Sequence, residues 1–435
     1  MGYVLRKLLS FKTLGLAHRS RNLRGAWQQN PGELITALIL LAGSAGVAGF
    51  TAWTCFTYFW HEQFTRYPPP IAKALRRALY FTNYSPDPEM ALKNYKRALQ
   101  LCDEFHLDPF SDDVMGIKIQ MAAWLEKIGN YDNATHVLEA LLEDCRRWVD
   151  TAEKSFNEGT IPPALMPPPP PPVSTVGEGA ELEKREVAQR PEESSETLWG
   201  KRSRILGKAV GISVKLGDLY ASKYMLKIDL AHQHLKWAVE TALGELQRRT
   251  SEGAKPGEGP WMSSEAIGAT LESLGHNYEA KSQFHLAVPL FFQAMRLSQD
   301  QCHTAVLMNN IAACFAQHPV LAAADTPLNA FLDEPLAPAA ATPQETRRAY
   351  LTAAKRWARN ARQHATEPRS SQRTRECDEA CAAALCTLAD IARIAGEEAE
   401  ARRLFEEAAA TSRQVDYAPG VKQAATGLRA LAGEA

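Results

Sequence analysis

His61 and Glu62 open an H-E-x-x-H zinc-hydrolase signature, but Thr65 stands where its second histidine belongs. Without that ligand one turn on, the pair cannot hold a zinc ion and aim a carboxylate at its bound water. His232 and His234 are two positions apart, so a helix turns them to different sides and denies them a shared metal. Cys377, Cys381 and Cys386 cluster with no histidine near them in sequence, which leaves a zinc set incomplete. The cysteines show no twin-cysteine spacing, and at apolar helical positions they read as reduced, small hydrophobes. No nucleophile elbow, phosphate-binding loop or dinucleotide fingerprint is present in the chain. The expectation is a non-catalytic protein with no catalytic residue, no metal and no cofactor. What remains is recognition chemistry: carboxylates, imidazoles and guanidiniums three and four apart, as in Glu272, His276 and Glu279. That spacing lines them along one face of a helix.

Helical repeats supply such faces. Residues 271–297 read LESLGHNYEAKSQFHLAVPLFFQAMRL, with Leu271, Leu274, Gly275 and Tyr278 on one helix and Ala287, Phe291 and Ala294 on the next. This is the tetratricopeptide (TPR) pattern, a helical hairpin of ~34 residues in which small side chains let the helices close and large ones fill the gaps. Other stretches follow it less completely. Ala91, Tyr95 and Ala98 mark one unit, Ala122, Leu125, Ala134 and Leu138 a second, and Leu216, Gly217, Tyr220, Ala231 and Leu235 a third. Ile311, Ala312 and Phe315 begin a unit whose second helix, with Ala354, Ala358 and Ala361, is delayed by an insertion. Leu385, Leu388, Ala401, Phe405 and Ala408 mark the last.

The fold class expected is all-α, a TPR helical-repeat solenoid with one N-terminal transmembrane helix. Positions 1–30 carry Arg6, Lys7, Lys12, Arg19, Arg21 and Arg24 and no acidic residue, the composition of a mitochondrial targeting segment. Leu34 to Trp60 holds no charged side chain, and about 20 apolar residues suffice to cross a ~30 Å hydrocarbon core. The basic flank would keep the N-terminus in the matrix and place the rest in the intermembrane space. Gly43, Gly46 and Gly49 give the expected span at 34–60 a small-residue face for packing on another membrane helix. TPR units follow at 72–148, a Pro-rich charged flexible linker at 152–200, and further units at 205–317, the last of these contributing its first helix only. An Ala/Pro-rich insertion at 318–343, the remaining TPR helices at 345–415 and a capping helix at 420–432 complete the chain. Net charge is -1, and the basic leader leaves the remainder mildly acidic, a poor partner for nucleic acid.

In a TPR array the first helices of successive units line a concave groove. The residues this places there as client-binding candidates are Arg76, Tyr80, Asp218, Glu272, His276, Glu279, Asn309, Asp390 and Arg393. Cys386 falls on the same face of its helix. Glu272 and His276 occupy the places where TPR receptors for chaperone tails carry Lys and Asn, and Ala383 and Thr387 replace the final Lys and Arg. A chain-terminal carboxylate would meet acid there, which argues against that kind of partner.

The basic leader, the single span, YPPP at 67–70 and an array opening ALRRALYFTNYSPDPEMALKNYKRAL together resemble a fungal mitochondrial TPR family, the adaptor subunit of the inner-membrane i-AAA protease complex. The likeness covers residues 30–415 and is sharpest from Tyr67 to Leu142. It implies an anchored subunit whose TPR domain binds unfolded or misassembled proteins and delivers them to the protease. Its partners would be the i-AAA protease subunits, those clients and the bilayer, with no nucleic acid. Two alternatives share the anchor and the repeats: an outer-membrane TPR import receptor for mitochondrial precursors, and a respiratory-complex assembly factor. The acid-free leader weighs against the first.

Overall fold

A computed structural model describes residues 31–59, 67–159, 196–320, 328, 331–332, 342–368 and 373–433. The targeting segment expected at 1–30 lies outside them, as do most of the linker and much of the insertion. Among the described residues every regular element is helical. The chain divides into two compact units, Met1–Val114 and Met115–Ala435.

The first unit holds α1 (Pro31–Phe59), α2 (Pro69–Asn83) and α3 (Pro88–Glu104). α2 and α3 pack as a hairpin. The chain turns between them because the Asp87 side chain caps α3, accepting from the Met90 amide at 3.0 Å, while Pro88 supplies a first residue already bent for the helix. Ile71, Ala78, Ala91, Tyr95 and Ala98 are fully enclosed between the two helices. Small residues bring the backbones together, and the Tyr95 ring fills the space left.

α1 is different in kind. Its side chains are described for residues 39–54, where Ile39, Leu40, Leu41, Val47, Phe50 and Trp53 are 64–74% exposed. Among the described residues no helix is long and apolar enough to cross a membrane. The transmembrane helix expected at 34–60 therefore finds no support among the described residues, although α1 itself runs from Pro31 to Phe59. A Cβ on Gly43, Gly46 or Gly49 would meet nothing within 4 Å among the described residues.

The second unit begins within α4 (Asp112–Lys127) and continues through α5 (Tyr131–Asn157), α6 (Leu198–Ala221), α7 (Ile228–Glu252), α8 (Ser264–Ala280), α9 (Phe284–Leu297), α10 (Gln301–Gln317), α11 (Pro343–Thr366), α12 (Arg375–Ile394), α13 (Glu398–Gln414) and α14 (Ala418–Leu431). The hairpins α6–α7, α8–α9, α10–α11 and α12–α13 pack each upon the next, and α6 also touches α8, α10 touches α12 and α12 touches α14. The first helices α6 and α8, and likewise α10 and α12, therefore stand side by side.

The local causes recur from hairpin to hairpin. A Cβ on Gly275 would lie 2.8 Å from Phe291, and one on Gly217 would lie 2.4 Å from Leu235, so in both places only glycine admits the partner side chain. Phe291 lies against Gly275 and Phe405 against Gly427 of α14, and both are fully buried; each contributes about 2–3 kcal/mol of burial. The turns also match. Gly129, Ser282 and Gly396 sit at the same place after the first helix, with φ of 79°, 57° and 79°. That left-handed backbone costs glycine nothing and serine about 1 kcal/mol. Thr342 and Glu345 form a reciprocal capping box at the start of α11, with Pro343 at its first turn.

Three sequence expectations need correction. α5 runs to Asn157, past the expected linker start at 152, because Ala152 and Ser155 remain buried and Phe156 meets Trp199 edge-on at 4.8 Å. α6 likewise starts well before the repeat needs it. Its Arg202 side chain is 9% exposed and is held by Glu153 at 2.6 Å and Glu245 at 3.1 Å, while Arg248 reaches Glu245 and Glu258 at 2.6 and 2.5 Å. These pairs tie α5, α6 and α7 together, and each ion is partnered, which buried charge requires. The third correction concerns the cysteines. Cys302 and Cys377 are joined in a disulfide, whereas Cys102, Cys145, Cys314, Cys381 and Cys386 are buried free thiols. Within the insertion, Leu328 is fully buried and Phe331 packs edge-on to Phe292 at 5.3 Å, so those residues close over α9.

Candidate functional site

The side-by-side first helices place a charged cluster where the groove was expected. Glu272, His276 and Glu279 project from one face of α8, held by a helix that Ser263 caps through the Ala266 amide. Glu272 Oε2 lies 3.0 Å from His303 Nε2 on α10, and His303 Nδ1 lies 2.8 Å from Glu376 Oε1 on α12. His276 Nδ1 lies 3.1 Å from Glu279 Oε2, and its Nε2 faces Glu272 Oε1 at 3.6 Å. Asn310 Nδ2 reaches the same nitrogen at 3.5 Å. One chain of contacts thus runs from α8 through α10 to α12.

Its charge state follows from those contacts. Burial works against charge on His276, but the bonds to Glu272 and Glu279 outweigh it and hold the imidazole at about 9. His303 is held at about 9 by its bond to Glu272, against burial and with help from Glu376. Burial pushes Glu272 up, while both imidazoles pull it down further, to about 2. At neutral pH the cluster is therefore ionised: two imidazolium ions among three carboxylates. On α6, Asp218 keeps an edge in water, yet lost hydration raises its carboxyl, opposed by the Ser273 hydroxyl, Lys215 and His276. Lys215 is itself paired to Glu126 at 2.9 Å.

The other expected groove residues lie outside this cluster. Asn309 sits on α10 beside this cluster, and its Oδ1 is buried without a hydrogen-bond partner among the described residues. Asp390 and Arg393 lie on α12 at 3.4 Å from each other, and Gln423 on α14 donates to Asp390 at 2.8 Å. They border an open cleft of about 500 Å³ between α12 and α14, with Lys422 and Thr426 on its far wall. Cys386 does not line the groove: α14 covers it, and its thiol points to the Gly420 carbonyl at 3.6 Å. In the first unit, Arg76 and Tyr80 are exposed on α2, and Tyr80 stacks on Tyr84 with centroids 6.2 Å apart.

His303 and Glu376 were not foreseen. Each precedes the formal start of its repeat, His303 by one turn before Val306 and Glu376 by two turns before Ala383, yet on the same helix face. Extending the three-and-four spacing backwards along each helix finds both. Among the described residues no group of three or more His, Cys, Asp or Glu side chains has the geometry of a metal site. The cluster of Cys377, Cys381 and Cys386 instead supplies one half of a disulfide and two buried thiols.

No family model matches the chain. It is 31% identical over 107 residues to a yeast protein, the MRG3-like protein of Saccharomyces cerevisiae, a match covering 23% of this chain and 22% of that protein. Among solved structures it is similar to BtubC from P. vanneervenii, with 12% identity and a TM-score of 0.39 over 80% of this chain and 91% of that one. It is also similar to the TPR2AB domain of yeast Sti1, with 11% identity and a TM-score of 0.26 over 83% of this chain and 98% of that one. Both likenesses are too loose to define the fold further than the helices already do.

Proposed function

We propose that the chain is a non-catalytic, membrane-anchored TPR adaptor of the mitochondrial inner membrane. It binds unfolded or misassembled proteins in its groove and delivers them to the i-AAA protease complex. The observation that carries the binding reading is the ionised row Glu272–His303–Glu376 with His276 and Glu279. It joins three successive first helices into one surface open to an extended polypeptide. Helical repeats of this kind serve protein–protein contact, each hairpin adding to a continuous face.

The anchor reading rests on α1. A helix apolar on all sides is unfavourable in water and at home in lipid. Its hydroxyls do not oppose that: Ser44 donates to the Leu41 carbonyl at 2.9 Å and Thr51 to the Val47 carbonyl at 2.7 Å, so neither needs water. The small-residue face at Gly43, Gly46 and Gly49 is the candidate contact with a membrane helix of the protease complex. Tethering both proteins to one bilayer raises their effective concentration to about mM, so a weak groove suffices and clients are released readily.

The compartment has support as well. Disulfides are rare in the cytosol, so Cys302–Cys377 favours the intermembrane space over the cytosolic face of an import receptor. The test is protease protection of a C-terminally tagged chain in intact and in swollen mitochondria, followed by co-purification. Digestion only after outer-membrane rupture, with i-AAA subunits recovered on the tag, supports the adaptor. Digestion in intact mitochondria refutes the topology, and recovery of a respiratory complex without the protease refutes the partner.

A further inference from the structure

We propose that the Cys302–Cys377 disulfide is a redox-operated clasp that holds His303 between Glu272 and Glu376. The bond joins the first turn of α10 to the first turn of α12, with Cα atoms 4.6 Å apart. The next residue of α10 is His303 and the preceding residue of α12 is Glu376, and these two meet at 2.8 Å. At the start of α12, Thr374 makes no side-chain cap bond. Arg373 pairs with Asp378 at 2.7 Å and also donates to the Ala365 carbonyl on α11 at 3.2 Å. The groups facing His303 are Glu272 from α8, with His276 behind it, and Glu376 from α12. Just past α11, the Glu367 carboxylate accepts from the Gln301 amide at 2.9 Å.

Opening the clasp is a two-electron step. A dithiol's thiolate attacks one sulfur and expels the other cysteine as a thiolate. The reagent's second thiol then closes its own disulfide and releases the first cysteine. Two electrons and two protons pass from the dithiol to Cys302 and Cys377. Both sulfurs are buried, so attack follows fraying of these first turns. Once apart, Glu376 no longer backs His303, and the imidazolium loses one of its two carboxylates. The consequence for client capture rests on the groove reading above, whereas the clasp itself does not.

The test uses the full chain in detergent, with the disulfide checked by alkylation and mass spectrometry. Hydrogen–deuterium exchange at the imidazole C2–H then reports the titration of His303 and His276 separately. With the bond closed, His303 should titrate near 9. Dithiothreitol should lower its proton affinity about tenfold or more, reoxidation should restore it, and His276 should hold its own value within twofold. The Glu376→Gln variant should titrate low whether oxidised or reduced. Cys302→Ser/Cys377→Ser should match the reduced wild type; if it fails to fold, the reduced and reoxidised wild type carries the comparison. Absence of the disulfide from the air-purified chain, or the same His303 titration in both redox states, overturns the clasp. Equal shifts in His276 and His303 would mean general loosening and overturn it too.

Discussion

Glu272 Oε2 on α8 and His303 Nε2 on α10 stand 3.0 Å apart, an ion pair between two successive repeats. Its pH dependence has a definite sign. His276 and His303 are raised from an ordinary 6.5 to about 9, so their contribution to stability is complete below about 6.5 and is lost as pH rises through 9. Glu272 is depressed, so its share is present above about 4.5 and is lost as pH falls toward 2. Half the His276 side chain is exposed, which holds its share to about 1 kcal/mol or less after screening. Urea denaturation from pH 6 to 10 should show a decline that the double variant His276→Gln/His303→Gln flattens; an unchanged slope in that variant would refute the assignment.

Gly275 and Phe291 are in close contact across their hairpin, and they should be coupled. Phe291→Ala removes a fully buried ring and should cost about 3–5 kcal/mol. Gly275→Ala forces a methyl against that ring, at about 1–3 kcal/mol. In the Phe291→Ala background the methyl has room, so the second substitution should cost much less. A double-mutant cycle by chemical denaturation measures this, and strict additivity would contradict the contact.

The disulfide should matter for stability. Its partners are 75 residues apart, and loop closure over that length predicts about 4 kcal/mol. Cys302→Ser/Cys377→Ser should lose about 2–4 kcal/mol relative to the oxidised wild type. Reductant should bring the wild type to the same value and leave the variant unmoved. A reductant effect that persists in the variant would assign the loss to other thiols.

Reversing charge at Glu272 and Glu279 should impair client capture while leaving assembly with the protease intact. Pull-down of urea-unfolded substrate by Glu272→Lys/Glu279→Lys should fall several-fold, with unchanged recovery of protease subunits. Equal capture would remove the main support for the groove.

The hairpins were legible in the sequence wherever a small residue faced a large one, as at Gly275 and Phe291 or Gly217 and Leu235. Such pairs encode helix contact directly. Features built from polar or distant residues were not legible. Arg202, Glu245 and Glu258 look like solvated charge until α5, α6 and α7 close around them. Cys302 and Cys377 become neighbours only because α11 carries the chain out and back. His303 and Glu376 were missed because each lies ahead of its repeat's formal start. Cys386 falls on the groove face of the repeat template, which does not place the expected capping helix across it, as α14 lies.

The bond between residues 302 and 377 also makes the intervening stretch a closed ring of chain. A single cut anywhere inside it, whether in the insertion at 318–343 or in α11, leaves the two pieces covalently attached. On a non-reducing gel such a nicked protein would migrate with the uncut chain and separate only after reduction. For a subunit proposed to work beside a protease, that is a way to survive an accidental bite.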